Sequence, residues 1–160
     1  MSTKKIAERK DIPDAHKWDL TRLFESDKAW EQEFSEVEKA LERYGGYRGR
    51  LKDSVSLFKE VIEFHLGLTR KIERLYTYAH LRSDEDKSNQ YYLGLHQRAL
   101  NVYTRGSEMA SFINPEIQSI PDEVVKRYLA DDSLGEYKFY IEKILRNRPH
   151  TRSESEEQIL

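Results

Sequence analysis

Apolar and polar residues alternate with a helical period along most of the chain. Trp30, Phe34, Val37, Leu41 and Tyr44 form one seam on one helical face. Ser26 stands ahead of them as an N-cap, with Asp27 in the first turn against the helix dipole. Gly45-Gly46 predicts the end of this helix. After a connector at Tyr47–Leu51, Asp53 or Ser54 caps a second helix. It has apolar positions at Val55, Phe58, Val61, Ile62, Leu68, Ile72, Leu75, Tyr76 and Ala79. No Pro interrupts it, and from Asp53 to Arg82 it extends about 45 Å. Ser83–Asn89 reads as an acidic turn, so this helix is expected to end between His80 and Asp84. The third helix carries Tyr92, Leu95, Ala99, Val102, Tyr103, Gly106, Met109, Ala110 and Ile113. Ala99, Gly106 and Ala110 are small enough to admit a neighbouring helix. Asn114-Pro115 stops it, leaving room for one turn up to Ser119.

Pro121, followed by Asp122 and Glu123, starts a fourth helix that ends near Asp131-Asp132. A fifth buries Tyr137, Tyr140, Ile141, Ile144 and Leu145, and Pro149 closes it. Ser153 and Glu156 then have capping-box spacing, with only about two turns of chain before Leu160. Leu160 is therefore expected to be a truncation point. At the other end, Pro13 separates a charged start from a more apolar stretch. Trp18, Leu20, Leu23 and Phe24 are too apolar for a free tail, and the arm is expected to dock, on a surface either of this chain or outside it. The pattern predicts an all-α fold: an elongated antiparallel bundle of about five helices with two long central ones. Its expected divisions are an arm over 1–24, a helical domain over 25–149 and the start of a following region over 150–160.

Composition narrows the function classes more than it names one. Charged residues make up 35% of the chain and apolar ones 38%, a balance suited to two-faced helices. The 27 basic and 29 acidic residues are interspersed, so no basic stripe marks a nucleic-acid partner. There is no Cys, which excludes thiol catalysis and Cys-ligated zinc. No apolar run approaches the roughly 20 residues of a membrane span. Lys4, Lys5, Arg9 and Lys10 are not followed by the apolar stretch of a secretory signal, and a cytoplasmic protein is expected.

Candidate chemistry is sparse. A calcium loop starting at Asp84 would want Gly at position 89 and Glu at position 95, where Asn89 and Leu95 stand. The acidic turn reads as caps and solvated charge. His16, His65, His80, His96 and His150 include no two that are three or four apart, so no single helix offers a His pair. H-E-x-x-H, G-x-S-x-G and phosphate-binding Gly loops are missing from the sequence. Tyr76, Tyr78, Tyr91, Tyr92 and Tyr103 crowd the two central helices. Two readings of them stand: side chains that grip a peptide along a channel, or half-buried contacts between helices.

Three segments taken in order point further. They are Ile12-Pro13 through Trp18-Asp19-Leu20; Leu75-Tyr76-Thr77-Tyr78-Ala79-His80-Leu81-Arg82 with Asp84-Glu85-Asp86; and Arg148-Pro149-His150-Thr151-Arg152-Ser153 leading into Glu156-Glu157-Gln158-Ile159-Leu160. Their order and spacing resemble the N-terminal region of oligoendopeptidase F, in the thimet oligopeptidase family of zinc metallopeptidases. Arg152 departs from the pattern, which has an apolar residue there. The resemblance implies a cytosolic parent enzyme that hydrolyses short peptides. Its zinc would be held by H-E-x-x-H and a downstream Glu, all beyond Leu160. It assigns no catalytic, cofactor-binding or metal residue here. It implies a non-catalytic helical part that walls one side of a substrate channel, with the catalytic domain of the parent as partner. Apolar surface left uncovered on this chain is then expected to drive its dimerisation. The alternative is a self-contained helical interaction module whose Tyr-rich face binds a partner helix.

Overall fold

A computed structural model describes residues 9–148. Pro149, the capping box at Ser153 and Glu156, and the segment 150–160 lie outside the described residues, as does the start of the arm. Among the described residues the fold is all-α with no strand. Six α-helices run in order: α1 (Asp27–Leu41), α2 (Val55–Glu85), α3 (Gln90–Ala110), α4 (Ile113–Ser119), α5 (Asp122–Leu129) and α6 (Lys138–Arg146). The two long central helices are α2 and α3. Short 3-10 segments fill the arm and two of the connections.

The caps follow the sequence closely. Ser26 Oγ accepts from the Ala29 amide at 3.2 Å, and Ser54 Oγ from the Leu57 amide at 3.1 Å. Asn89 Oδ1 accepts from the amides of Tyr91 and Tyr92, opening α3. Four boundaries differ from expectation. α1 ends at Leu41 and tightens into a 3-10 segment through Gly46, and the left-handed glycine is Gly49, at φ 81°. α2 does not stop before Asp84. Its last turn is held by the pairs His80–Asp84 and Arg82–Glu85, which outweigh the cost of carboxylates near a helix C-terminus. α3 ends at Ala110, and Pro115 sits in the first turn of α4, where its missing N–H has no intrahelical partner to lose. Pro121 is the N-cap of α5 instead of its first helical residue.

The contacts fall into two compact units, and both draw on α2 and α3. The first joins the described residues up to Leu41 with Leu68–Gly106. Its core holds Trp30, Phe34, Val37, Leu41, Ile72, Leu75, Tyr78 and Leu95. Trp30 is fully buried, stacks on Phe34 at 4.9 Å and donates from Nε1 to the Leu75 carbonyl at 2.9 Å. The arm docks within this unit: Leu20 and Phe24 are buried, and Phe24 meets Tyr78 edge-on at 5.4 Å. Only Trp18 remains outward, at 58% exposure, so a docking surface outside the chain is unnecessary for Leu20 and Phe24. Gly106 makes room inside: a Cβ there would lie 2.7 Å from Ile72 Cδ1.

The second unit joins Glu42–Gly67 with the described residues from Ser107 onward. Phe58, Ile62, Ile113, Ile117, Leu134 and Ile141 form its core. Glu116 of α4 accepts from the amides of Gly49 and Leu51, each at 2.8 Å, pinning the connector before α2. Tyr128 of α5 donates to the Lys52 carbonyl at 2.9 Å.

Candidate functional site

The five tyrosines singled out by the sequence all belong to the first unit, but they occupy unlike surroundings. Alternate residues of a helix cannot share a face, so Tyr76 and Tyr78 diverge. Tyr78 is fully buried. Its hydroxyl donates to Asp27 Oδ1 at 2.7 Å, and Tyr92 donates to Asp27 Oδ2 at 3.2 Å. Arg82 lies over both rings, 5.4 Å from the Tyr78 centroid and 5.2 Å from that of Tyr92. It also donates from Nε to the Tyr78 hydroxyl at 3.3 Å and pairs with Glu85 at 3.2 Å. Arg9 closes the chain of charge on Glu85. Burial, then the bond to Asp27, pushes the Tyr78 phenol up to about 12. The initial residue of α1 is thus tied to α2 and α3 through a satisfied polar network.

Tyr76 looks to the other side. It stacks on His80 at 5.6 Å with the ring planes 8° apart, and it touches His96 at 5.4 Å and Tyr103 at 5.7 Å. Tyr103 is 42% exposed and Leu100, on the same helix, 39%. Tyr91, 51% exposed, packs edge-on against Tyr92 at 5.1 Å. His80 and His96 are 4.8 Å apart, centroid to centroid, and Asp84 Oδ2 lies 3.3 Å from His80 Nε2. In the sequence, His80 stood four residues from Asp84 but was set aside because the helix was expected to end between them, and His80 was not joined to His96 because only pairs within one helix were sought. The usable signal was symmetry: His80 and His96 are equally far from Ser88, at the turn.

The acidic turn is consumed locally. Lys87 pairs with Asp84 and holds its carboxyl below the usual range. Asp86 accepts from the Ser88 amide and hydroxyl at 2.9 and 2.6 Å, and these bonds lower it likewise. Two open clefts border the first unit. One of about 330 Å³ is lined by Phe34, Glu38, Arg98, Asn101, Val102 and Arg105, where Arg98 pairs with both oxygens of Glu31. The other, of about 270 Å³, includes Arg9, Lys17, Arg82, Glu85, Asp86 and Tyr92; Arg9 and Arg82 pair with Glu85, Lys17 with Asp14, and Asp86 is bonded to Ser88. Among the described residues, no three His, Asp or Glu side chains converge as metal ligands. A peptidase zinc, which takes three protein ligands, does not fit these residues.

The geometry therefore belongs to a class: a helical region with aromatic faces. Comparison with known proteins says which one. A family model described as Oligopeptidase F matches residues 116–160. Oligopeptidase PepF of Bacillus subtilis (strain 168) is 35% identical over 156 residues, covering 97% of this chain and 23% of that protein. Group B oligopeptidase PepB of Streptococcus agalactiae serotype III (strain NEM316) is 33% identical, covering 95% of this chain and 26% of that protein. The crystal structure of oligoendopeptidase-F from Enterococcus faecium superposes with a TM-score of 0.73 at 33% identity, over 84% of this chain and 27% of that one. The chain corresponds to the N-terminal region of oligoendopeptidase F-like peptidases. It spans about a quarter of the length of the curated relatives it matches.

Proposed function

We propose that this chain acts as the helical N-terminal part of a cytoplasmic, zinc-dependent oligopeptidase, forming part of the wall along which short peptides reach a catalytic domain. The observation that carries the reading is the lopsided match: 97% of this chain against 23% of the Bacillus relative. The zinc ligands, the attacking water and its base belong to the remainder of such an enzyme, and no reaction step runs through the residues described here. What this part supplies is surface. Of the five tyrosines, Tyr76 and Tyr103, which share one side of the helical pair, are the proposed contacts for passing peptide, and the exposure of Tyr103 supports this. Tyr78 stands behind them as a buried support. Rings of this kind offer apolar contact with a polar tip, which suits peptides of varied sequence.

A chimera tests the reading. The matching region of Bacillus subtilis oligopeptidase PepF is replaced by this chain, and cleavage of a fluorogenic oligopeptide is measured. Retained, chelator-sensitive cleavage is expected, with Tyr103→Ala raising KM more than it changes kcat. A folded, zinc-loaded chimera without peptidase activity would overturn the assignment.

A further inference from the structure

We propose that His80 and His96 together bind a divalent transition-metal ion of the zinc, nickel or copper class. The two rings come from different helices, α2 and α3, and lie 4.8 Å apart with their planes at 55°. Each keeps one nitrogen shut from solvent and without a hydrogen-bond partner: Nδ1 of His80 and Nε2 of His96. A buried polar atom left unmatched is unfavourable, and two such atoms on touching rings mark a place where something is to be bound. An ion bonded to imidazole at about 2.0–2.1 Å spans two rings at this centroid spacing when the unpartnered nitrogen of each turns toward it.

The surroundings prepare the pair for this task. Asp84 Oδ2 lies 3.3 Å from His80 Nε2, close enough for the carboxylate to favour the tautomer with its proton on that nitrogen. That leaves Nδ1, the unpartnered atom, as the lone-pair donor. A carboxylate behind the imidazole is the arrangement that orients metal-binding histidines and raises their basicity. Tyr76 packs on both rings, parallel to His80 and tilted against His96, and restricts their rotation. Lys87 opposes a cation, but it is paired with Asp84. Two imidazoles with water in the remaining positions give a modest site, and imidazole selects zinc, nickel or copper over oxygen-preferring magnesium and calcium. The inference stands independently of the peptidase reading.

The test uses the whole 160-residue chain without an affinity tag, stripped with chelator and titrated with zinc(II) by calorimetry near neutral pH. One equivalent is expected to bind with a dissociation constant in the micromolar range. His80→Ala and His96→Ala should each weaken binding by about tenfold or more, and acidification to about pH 5.5 should do the same. His16→Ala and His150→Ala should leave it unchanged, and Lys87→Met should tighten it. Circular dichroism melting checks that each variant is folded, with His96→Gln in reserve should His96→Ala not fold. Copper(II) on the unaltered chain provides a second readout: its paramagnetic resonance spectrum should show nitrogen couplings from two imidazoles. Absence of saturable zinc binding, binding that survives in a folded variant carrying both His80→Ala and His96→Ala, or a copper spectrum with oxygen ligands alone would each overturn the proposal.

Discussion

Tyr76 and Tyr78 sit two residues apart on one helix and belong to opposite kinds of surroundings. Around Tyr78, every polar partner is accounted for: Asp27 accepts from two tyrosines, Arg82 covers both rings, and Glu85 receives Arg82 and Arg9. Around Tyr76, rings stack on rings, the rim is open to solvent, and two histidine nitrogens have no partner. The difference teaches where stability and binding are divided in this region. A closed, satisfied network fixes three helices to one another. A half-open aromatic face with unspent hydrogen-bonding capacity is available to something else.

The contrast can be broken from the Tyr78 side first. Tyr78→Ala removes a fully buried ring and leaves Asp27 short of one donor, and should cost about 3–5 kcal/mol by urea denaturation. Tyr76→Ala, on the half-open face, should cost about 1 kcal/mol. Equal losses for the two would erase the distinction. Asp27→Ala should fall between them at about 2 kcal/mol, since it strips the acceptor from two tyrosine hydroxyls.

Acid and alkali separate the same two sides. The Tyr78 pKa is raised, so folding favours the neutral phenol. Its contribution is fully present below the unfolded value near 10 and is lost as pH rises through about 12. His96 is lowered, so folding again favours the neutral form. Its contribution is present above the unfolded value of about 6.5 and is lost as pH falls below it. Tyr78→Phe should therefore flatten only the alkaline limb of a stability–pH curve, and His96→Gln only the acid limb. The smallest effect is expected at Gly106→Ala. The clash with Ile72 Cδ1, at 2.7 Å, is offset by the better helix propensity of Ala, giving a net loss of about 1 kcal/mol or less. Adding Ile72→Val should recover part of it, as a double-mutant cycle would show.

Much of the fold was legible in the sequence because helical periodicity is a local property. Trp30, Phe34, Val37, Leu41 and Tyr44 are all buried, as their spacing required. The small-residue positions Ala99 and Gly106 are buried too, and Gly106 admits Ile72 closely. Helix ends were less legible, since they are decided by competition. Asp84 and Glu85 look like turn residues until His80, Arg82 and Lys87 are placed within reach of them. The arm was half legible for a related reason: its apolar residues signalled docking, but not that Tyr78 and Arg74 would receive Phe24 inside the same unit. The tyrosines were legible as a group, yet period alone could not separate fully buried Tyr78 from half-buried Tyr76 and Tyr92 and exposed Tyr91 and Tyr103.

The sequence by itself determined an all-α chain, its caps, its two long helices and its likeness to the N-terminal region of oligoendopeptidase F, because these reside in spacing and residue order. Only the tertiary structure decided that Asp27 gathers Tyr78 and Tyr92, and that His80 meets His96. Those contacts join residues on different helices, and their distance is set by the packing of whole elements around a shared core.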